Sequence, residues 1–474
     1  MLSNCSFSSL FRQQIHFDLT NSQQFALQKL SNFVCNQTDN QVFILNGYAG
    51  TGKTTLVSAL VRTLQFFHKK CILLAPTGRS AKVFSLYSGQ KAYTIHKCLY
   101  YAKEQGERRE FTRRYNKCVN TLFIVDEASM IADGLTDSPV MGNKSLLEDL
   151  FSYLLEGRGC QLLLVGDHAQ LPPVHFDESP ALSAEYIQRN FNVSVDHAIL
   201  TDVTRQAYNS GILHNASRLR AQMERDIYTF PLFSGNNFAD CCRVNGEDLE
   251  ELFATLYGKN NVEDIVTITY SNKRAYIYNQ EIRHRILYKE NELAAGDLLI
   301  AVHNNYFWIQ DDAEVGFIAN GDAMEILSIN KLQMLYGFHF ADVTVRMCDY
   351  PNHEAIDIKI ILESLDGEGA SLNEAQRRQL YNAVEEDYAD IATKKERYRK
   401  MKQDPFLNAV QVKFSYALTC HKTQGGQWPI VLLDQGIMKE GALDKSYLRW
   451  LYTALTRATK QVYLINFADC FFEK

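Results

Sequence analysis

The sequence lacks a long apolar run, a C-x-x-C pair, an internal repeat and a low-complexity tract. No stretch approaches the roughly 18 apolar residues that a membrane helix needs. The first residues, MLSNCSFSSLFRQQ, lack the basic start and the apolar core of a signal peptide. Hydrophobic residues make up 46% and charged residues 22% of the chain, which excludes disordered and fibrous classes. We therefore expect a globular, cytoplasmic protein without a membrane partner.

The cysteines and the net charge exclude further classes. The 11 cysteines are odd in number and scattered, which indicates reduced thiols rather than a disulfide framework or a zinc site. The only adjacent pair, Cys241-Cys242, is interpreted as two ordinary thiols. A net charge of −6 argues against a protein that coats nucleic acid through a wholly basic surface. It leaves a local basic channel open.

Short apolar runs without polar alternation recur along the 474 residues, a length that suggests about two to four domains. Such runs, separated by helical stretches, are typical of parallel strands buried on both faces. The runs are Val42–Leu45, Ile72–Ala75, Leu122–Val125, Leu162–Val165, Ile430–Leu433 and Val462–Ile465. After the first of them, residues 54–64 have apolar side chains at helical spacing. The pattern predicts an α/β fold.

Residues 315–365 have a different pattern of apolar residues. Their short apolar runs are broken by the turn signals Asn320-Gly321-Asp322 and Tyr350-Pro351-Asn352, which predict a small β-rich insertion. Residues 372–402 are highly charged and predict a helix whose basic end, KKERYRKMK, is interpreted as a solvated face. A nucleic-acid role for that end is a less favoured alternative.

A phosphate-binding loop follows the first apolar run. The string GYAGTGKTT matches G-x-x-x-x-G-K-T between a predicted strand and a predicted helix. Its backbone N–H groups and the helix N-terminus suit phosphates, Lys53 suits the terminal phosphates, and the Thr54 hydroxyl suits magnesium. The predicted ATP-binding residues of the loop are Gly47, Gly50, Thr51, Gly52, Lys53, Thr54 and Thr55.

Two adjacent carboxylates end the run Leu122–Val125. Ligands of open α/β sheets bind at the carboxyl ends of strands, so Asp126 and Glu127 are placed to act on a nucleotide. Asp126 suits a magnesium ion held through water, and Glu127 suits a general base that activates the attacking water. The alternative is a solvated pair of loop carboxylates.

The stretch LLLVGDHAQLPPV, residues 162–174, places a neutral glutamine where another buried run ends. In a parallel sheet this run ends on the same rim as the phosphate loop and the carboxylates. The Gln170 amide is therefore expected to hydrogen-bond the γ-phosphate or the attacking water and to lose that bond on hydrolysis. The alternative is an amide that caps the loop stiffened by Pro172 and Pro173.

Further strings complete an ordered set of motifs. They are LTNSQ at 19–23, APTGRSAK at 75–82, YTIH at 93–96, GDHAQLPP at 166–173, LTDVTRQ at 200–206, TCHKTQG at 419–425 and YTALTRA at 452–458. Together with the phosphate loop and the acidic strand, this order resembles superfamily 1 helicases, particularly the RecD-like and Dda-like branch. The resemblance covers roughly residues 19–310 and 406–474.

The resemblance implies roles for further residues. Gln23 would read adenine, and Gln170 would sense the γ-phosphate. Arg205 and Arg457 would meet the γ-phosphate when two domains close on ATP. The residues expected to contact single-stranded DNA are Pro76, Thr77, Gly78, Arg79, Thr94, His96, Thr419 and His421.

Two segments bear on specificity. Gln427 precedes Trp428 where many members of the family have an acidic residue, which leaves selection of the ribose open. Arginines cluster between the YTIH string and the acidic strand, where the family places a small β-hairpin that splits the duplex. They are Arg108, Arg109, Arg113 and Arg114. A solvated charged face is an equal alternative for them.

The resemblance implies two RecA-like P-loop domains with parallel sheets. We expect the first at residues 1–200, with a hairpin insertion at about 100–118. The second is expected at 201–314 and 406–474, with a small SH3-like β insertion and a charged helix at 315–405.

The predicted function is an ATP-dependent DNA helicase that uses Mg²⁺ and ATP and moves 5′ to 3′ on single-stranded and forked DNA. Protein partners are not predicted. One alternative is an RNA helicase or translocase, since none of these motifs identifies a side chain that would distinguish RNA from DNA by its 2′-hydroxyl. Another is a P-loop hydrolase that remodels a partner without separating strands.

Overall fold

The computed structural model describes most of the chain. It covers residues 4–36, 40–105, 108–134, 145–202, 209–234, 238–309, 317–350, 352–367, 369, 371–436 and 443–473. Of residues 102–105 and 108–111 only the backbone is described. Among the helices in these ranges, none is long and apolar enough to cross a membrane.

A six-stranded parallel sheet occupies the first part of the chain. Its strand order is β3-β2-β6-β7-β1-β8. The elements of this region are α1 (Asn4–Gln13), α2 (Asn21–Cys35), β1 (Gln41–Gly47), α3 (Lys53–Phe66), β2 (Cys71–Ala75), α4 (Gly78–Ser88), β3 (Ala92–Thr94), α5 (Ile95–Leu99), β4 (Tyr100–Gln105), β5 (Arg108–Arg113), β6 (Leu122–Val125), α6 (Leu146–Glu156), β7 (Gln161–Gly166), α7 (Ala184–Phe191) and β8 (Ser194–Leu200).

The central strands of this sheet are apolar because both of their faces are covered. Every residue of β6 and β7 is buried, as the lack of polar alternation predicted. Strands β6, β7 and β1 are neighbours, and all three run parallel. Their carboxyl ends therefore meet at one rim of the sheet, and this rim receives the phosphate loop, the acidic pair and the Gln170 loop.

A second parallel sheet, of five strands, has the order β16-β10-β17-β18-β9. The remaining elements of the chain are α8 (Gly211–Glu224), β9 (Cys241–Val244), α9 (Leu249–Lys259), β10 (Ile265–Thr269), α10 (Asn272–Glu281), β11 (Leu298–Ala301), β12 (Ala323–Leu335), β13 (Phe338–Met347), β14 (Ile356–Ile361), α11 (Glu374–Asp387), α12 (Lys394–Met401), β15 (Val410–Phe414), β16 (Ala417–Thr419), α13 (Cys420–Thr423), β17 (Trp428–Asp434), α14 (Lys445–Leu455) and β18 (Ala458–Ile465). All six predicted apolar runs form strands, and the α/β prediction is confirmed.

Strands β11 to β15 form a closed barrel. The predicted signal at 320–322 directly precedes β12, and Pro351 of the other signal lies outside the described residues. The tight turn at Tyr336-Gly337 lies between β12 and β13, where the sequence offered no recognised signal. Both turn residues have positive φ, 57° and 76°, which suits the twist of a hairpin. The barrel also takes in β11 and β15, which flank the predicted insertion at 315–405. Its SH3-like character stays a prediction.

The single charged helix expected at 372–402 is two helices instead, α11 and α12. Thr393 ends the break between them, because its side chain accepts a hydrogen bond from Glu396 N and caps α12. Tyr388 is the C-terminal cap of α11, and its hydroxyl donates to Asp404 Oδ2 at 2.9 Å.

A buried ion pair joins the second sheet to the barrel. Asp297 is fully buried and accepts hydrogen bonds from Arg283 Nη2 at 3.0 Å, Lys289 Nζ at 3.0 Å and Tyr416 Oη at 2.9 Å. Arg283 is also buried, at 2% exposure. A charge without water is tolerated only when such partners surround it.

One apolar cluster spans the two parallel sheets. Tyr48, Ala169 and Leu171, from loops at the rim of the first sheet, pack in a cluster with Leu448 and Leu451 of α14. The rim of the first sheet is therefore in direct contact with the second half of the chain.

Candidate nucleotide and nucleic-acid site

The phosphate loop lies between β1 and α3. Gly50 and Gly52 have φ values of +74° and +84°, a left-handed conformation that glycine adopts without strain. Lys53 begins α3, so the helix N-terminus faces the loop. The Lys53 ammonium donates to Gly47 O and to Tyr48 O, the latter at 3.0 Å. The lysine thus hydrogen-bonds two carbonyl groups of its own loop.

A cavity of about 1360 Å³ opens in front of this loop, large enough for a nucleotide. Residues from both halves of the chain line it. The predicted residues among them are Gly50, Gly52, Lys53, Thr54, Thr55, Asp126, Glu127, Gln170, Gln427 and Arg457. Thr51 is buried behind the loop, where its hydroxyl donates to Tyr48 O at 2.7 Å.

The acidic pair ends β6 at the cavity. Asp126 Oδ1 accepts from Glu127 N at 2.9 Å, and Oδ2 accepts from the Tyr87 hydroxyl. Burial raises the pKa of Asp126, while the hydrogen bond from Tyr87 and the charge of Lys53 oppose the rise. Burial likewise raises the pKa of Glu127, and Arg457 opposes that rise. A carboxylate of raised pKa is the stronger base.

The backbone of Glu127 is itself unusual, with φ +51° and ψ +37°. A left-handed conformation costs a residue with a Cβ roughly 1–2 kcal/mol, and such strain concentrates at functional sites. It sets the position of the Glu127 side chain beside that of Asp126.

Gln170 and Arg457 line the cavity from opposite halves of the chain. Gln170 is 6% exposed, and its Oε1 has no hydrogen-bond partner within the described residues. Arg457 is 2% exposed, and its guanidinium donates to Thr453 O at 3.0 Å and to Gly426 O at 3.2 Å. Arg205, predicted to act with Arg457, lies outside the described residues.

Gln23 occupies a place that its sequence motif did not predict. It is buried below the phosphate loop and does not line the cavity. Its Nε2 donates to Thr51 O at 2.9 Å, which supports the phosphate loop, and its Oε1 accepts from Thr20 N at 3.0 Å, which caps α2. Contact of Gln23 with adenine would require these bonds to break, and that role stays a prediction.

Two of the predicted DNA-contacting segments follow neighbouring strands. Ala75, at the end of β2, pairs with Thr94, at the end of β3, so the segments 76–79 and 94–96 lie side by side. Thr94 is buried and caps α5, accepting from Lys97 N at 3.2 Å. Burial lowers the pKa of His96 to about 4, which leaves this ring neutral at physiological pH.

The other predicted segment belongs to the second sheet. Thr419 ends β16, the edge strand, and His421 is exposed in the short helix α13 that follows. The predicted contacts with DNA are therefore divided between the two parallel sheets, as a strand held by both halves requires.

The segment 76–79 also touches the second half of the chain. The Arg79 guanidinium lies 3.8 Å from the centroid of the Trp428 ring, and Nη2 donates to Gln427 O at 3.3 Å. Thr77 caps α4, accepting from Ser80 N at 3.1 Å. Arg79 is thus engaged by protein, and a phosphate contact would have to replace or share the stacking on Trp428.

The barrel packs against the same segment. A Cβ added at Gly78 would lie 2.6 Å from Asp322 Oδ1, so only glycine fits this close approach. Lys82, one turn further along α4, donates to Cys348 O at 2.7 Å. Pro76 is partly buried at the start of the segment.

The arginine-rich segment forms a hairpin. Strands β4 and β5 pair antiparallel from Tyr100↔Arg113 to Gln105↔Arg108. Arg113 Nη2 donates to Glu156 Oε1 at 2.6 Å, and Arg114 Nε donates to Tyr100 O at 3.0 Å. These two bonds attach the base of the hairpin, while Arg114 remains exposed to solvent, so a solvated face stays an alternative for it. Its tip, residues 106–107, lies outside the described residues.

Three residues at the site were not singled out from the sequence. Tyr87 donates to Asp126, and Tyr452 Oη donates to Asp167 Oδ2 at 2.6 Å. Asp167 belongs to the GDHAQLPP motif and Tyr452 to the YTALTRA motif, but neither motif indicates that the two side chains are in contact. Tyr87 has no sequence signal, because its role depends on how α4 packs on the sheet.

Comparisons with known families match two parts of the chain. Residues 31–176 match the AAA domain family model, and residues 414–465 match the UvrD-like helicase C-terminal domain model. The first range contains the phosphate loop, the acidic pair and Gln170, and the second contains Thr419, His421 and Arg457.

Curated relatives include three helicase proteins. The ATP-dependent RecD2 DNA helicase of Deinococcus radiodurans is 34% identical over 28% of this chain and 16% of its own length. The ATP-dependent DNA helicase dda of Enterobacteria phage T4 is 26% identical over 54% of this chain and 55% of its own. The RecD subunit of the RecBCD enzyme of Buchnera aphidicola subsp. Schizaphis graminum is 23% identical over 96% of this chain and 75% of its own.

Among solved structures, a crystal structure of Pif1 helicase from Bacteroides in complex with ADP-AlF3 and ssDNA is 16% identical. The alignment covers 97% of this chain and 95% of that one, with a TM-score of 0.49.

Proposed function

From its relationship to superfamily 1 helicases of the RecD-like and Dda-like branch, we propose that this chain is an ATP-dependent DNA helicase that moves 5′ to 3′ on single-stranded DNA. The observation that carries the proposal is one cavity lined by the phosphate loop, the acidic pair, Gln170 and Arg457. Two parallel sheets contribute to that cavity, which is the arrangement that lets nucleotide binding and hydrolysis change the relation between them.

The residues at the cavity fit a magnesium-bound nucleotide. In the proposal the backbone N–H groups of the phosphate loop and Lys53 hold the phosphates. Thr54, whose side chain is exposed to the cavity, and Asp126 hold magnesium. Within the described ranges no group of three or more His, Cys, Asp or Glu side chains forms a metal cluster, which suits an ion held largely by phosphates and water. The ion supplies neutralisation of the phosphate charge.

Hydrolysis follows from the positions of three side chains. Glu127 takes the proton of the attacking water, helped by the raised pKa that burial gives it. Arg457 supplies positive charge to the γ-phosphate as its bond to the β-phosphate breaks. Gln170 binds the γ-phosphate or the water through its amide and loses that bond when phosphate leaves.

Movement along the strand follows from the division of contacts. The segments 76–79 and 94–96 belong to the first sheet, and Thr419 and His421 belong to the second. We propose that ATP draws the two sets together and that hydrolysis lets them separate, so that each cycle shifts the strand. Opening duplex requires loss of stacking of about 1.4 kcal/mol per step in addition to pairing.

The test compares nucleic acids as activators. We expect single-stranded DNA to stimulate ATP hydrolysis several-fold more than RNA of the same sequence, and the protein to unwind a DNA duplex that carries a single-stranded tail. Greater stimulation by RNA would favour the RNA helicase. Hydrolysis indifferent to both would favour a remodelling hydrolase without strand separation.

A further inference from the structure

The hydroxyl group of Tyr452 lies where the two parallel sheets meet. Tyr452 is 1% exposed in α14, and its Oη accepts a hydrogen bond from Ala49 N at 2.8 Å and donates one to Asp167 Oδ2 at 2.6 Å. Ala49 belongs to the phosphate loop, and Asp167 lies three residues before Gln170. One oxygen from the second half of the chain therefore joins two loops of the first.

Only a hydroxyl group at this position satisfies both neighbours. Ala49 N–H needs an acceptor and the Asp167 carboxylate needs a donor, and a hydroxyl serves as both. Asp167 is fully buried, accepts from Ala169 N at 3.0 Å, and lies 3.8 Å from Lys53 Nζ. Tyr452 thus completes the environment of a buried charge beside the phosphate-binding lysine.

The loop that carries Gln170 is held on its other side as well. Leu171 N donates to Thr453 Oγ1 at 2.8 Å, and Leu171 O accepts from Gln424 Nε2 at 2.6 Å. Thr453 is the next residue to Tyr452, and Gln424 belongs to the TCHKTQG string. Bonds from the second half of the chain therefore enclose Gln170, whose own Oε1 has no partner among the described residues.

The same helix leads to Arg457. Tyr452 and Thr453 lie in the last turn of α14, and Arg457 Nε donates back to Thr453 O at 3.0 Å. A shift of α14 therefore moves Arg457 and the bonds on both sides of Gln170 together. These bonds are a physical route by which loss of the γ-phosphate reaches the second sheet.

We propose that Tyr452 is a positioning residue that couples the phosphate loop and the Gln170 loop to the helix that ends at Arg457. The inference rests on the proposed function. Its consequence is specific: removal of the hydroxyl lowers the work obtained per ATP, while single-stranded DNA still binds when nucleotide is absent.

The decisive comparison is between Tyr452→Phe and Tyr447→Phe. Tyr447 lies in the same helix, is buried at 4% exposure, and has a hydroxyl without a hydrogen-bond partner among the described residues. Both variants lose one buried hydroxyl, but only Tyr452→Phe breaks the link. We measure kcat and KM for ATP with saturating single-stranded DNA, together with base pairs unwound per ATP hydrolysed.

We expect Tyr452→Phe to lower base pairs unwound per ATP by about tenfold, the effect of losing a hydrogen bond to a charged group. Tyr447→Phe is expected to match the unaltered protein. Equal coupling in the two variants overturns the inference. If DNA does not stimulate ATP hydrolysis by the unaltered protein, the proposed function is overturned instead. Failure of the inference and failure of the proposed function therefore give different results.

A double-mutant cycle tests the route itself. Asp167→Ala combined with Tyr452→Phe should be no worse in coupling than the more impaired single variant, because each change removes the same bond. Independent, additive losses contradict the route.

If circular dichroism shows that Tyr452→Phe does not fold, the comparison of Thr453→Val with Thr453→Ser replaces it. Thr453→Val should lower the number of base pairs unwound per ATP, whereas Thr453→Ser, which keeps the hydroxyl, should not. Equal coupling in these two overturns the inference.

Discussion

At the scale of single residues, Lys53 and Glu127 lie on the same cavity, and the proposed function assigns them to different parts of the nucleotide. The Lys53 ammonium is 3.0 Å from a phosphate-loop carbonyl, where the proposal places the phosphates, whereas Glu127 follows the neighbouring acidic strand. Loss of either side chain should stop turnover, but only loss of Lys53 should weaken binding of the nucleotide.

We predict that Lys53→Ala and Glu127→Gln each lower steady-state ATPase by about 100-fold or more, since each removes a group that acts in the transition state. Glu127→Gln should retain affinity for a fluorescent ATP analogue, whereas Lys53→Ala should lose it. Glu185→Gln, a change at an exposed carboxylate paired with Arg189, is the control and should leave both measurements unchanged. Substantial ATPase in Glu127→Gln would mean that another group is the base.

The sequence predicted which residues share the cavity where each one ends a buried strand. Asp126 and Gln170 follow neighbouring parallel strands, so the shared rim brings them together without detailed side-chain information. Gln23 differs, because its place depends on a capping bond to Thr20 and on packing beneath Thr51. The bond between Tyr452 and Asp167 spans 285 residues and depends on how the two sheets pack. No local pattern encodes such a contact.

At the scale of elements, the β4–β5 hairpin projects from the first sheet through a fixed base. Arg113 pairs with Glu156 at 2.6 Å and lies 3.6 Å from Asp149, so the base of the hairpin is attached to α6. The family resemblance predicts that the strands beyond this base act at a DNA fork.

We predict that replacing residues 103–110 with a short Gly/Ser linker lowers duplex unwinding by about tenfold or more and leaves DNA-stimulated ATPase within about twofold. The linker removes the segment that is predicted to split the duplex and keeps Arg113 and Arg114 in place. Both activities are measured on the same forked DNA. Full unwinding by this variant would show that strand separation occurs elsewhere, with the motor unaffected.

Asp297 and Arg283 form a buried ion pair whose disruption should lower the stability of the protein. We predict that Asp297→Ala lowers the free energy of unfolding by about 3–5 kcal/mol, because it leaves a buried guanidinium without its carboxylate. The control is Glu250→Ala, which removes an exposed partner of Arg285 at 3.9 Å and should cost less than about 1 kcal/mol. Urea denaturation followed by fluorescence measures both. Similar losses of unfolding free energy in the two variants would contradict the prediction that breaking a buried ion pair costs more than breaking an exposed one.

Elements were predicted well where their pattern is apolar and poorly where it is polar. The six apolar runs became strands because few other structures bury both faces of a short segment. The turn at Tyr336-Gly337 escaped prediction because a tyrosine in left-handed conformation is not a turn signal. The charged segment 372–402 divides into two helices, and Thr393 caps the second by accepting a hydrogen bond from Glu396 N. The spacing of apolar residues did not predict this cap.

At the scale of the whole molecule, the predicted property is the direction of movement along single-stranded DNA. The branch resemblance implies 5′ to 3′ movement. We predict unwinding of a duplex with a 5′ single-stranded tail at a rate at least about tenfold above that with a 3′ tail, with blunt duplex as the control. Unwinding from 3′ tails alone would contradict the assignment to this branch and leave the ATPase assignment intact.

The division into domains at residues 1–200, 201–314 with 406–474, and 315–405 stays a prediction. What the structure adds is the contact between the sheets: rim residues such as Tyr48 and Leu171 pack beside Leu448 in one apolar cluster. Sequence patterns predict the sheets separately, because each is stabilised by its own apolar strands. They do not encode which rim faces which helix.

The strand order of the second sheet has a consequence for how the protein is synthesised. Strands β9 and β10 do not pair with each other; β9 pairs with β18, and β10 pairs with β16 and β17. While the barrel is being translated, β9 and β10 therefore have unpaired edges, and unpaired strand edges are sites of aggregation. The first sheet can form as its own residues emerge, but the second is complete only once translation has passed residue 465. Strands β9 and β10 both lack their partners while residues 270–416 are translated, and β9 lacks its partner until β18 has been made.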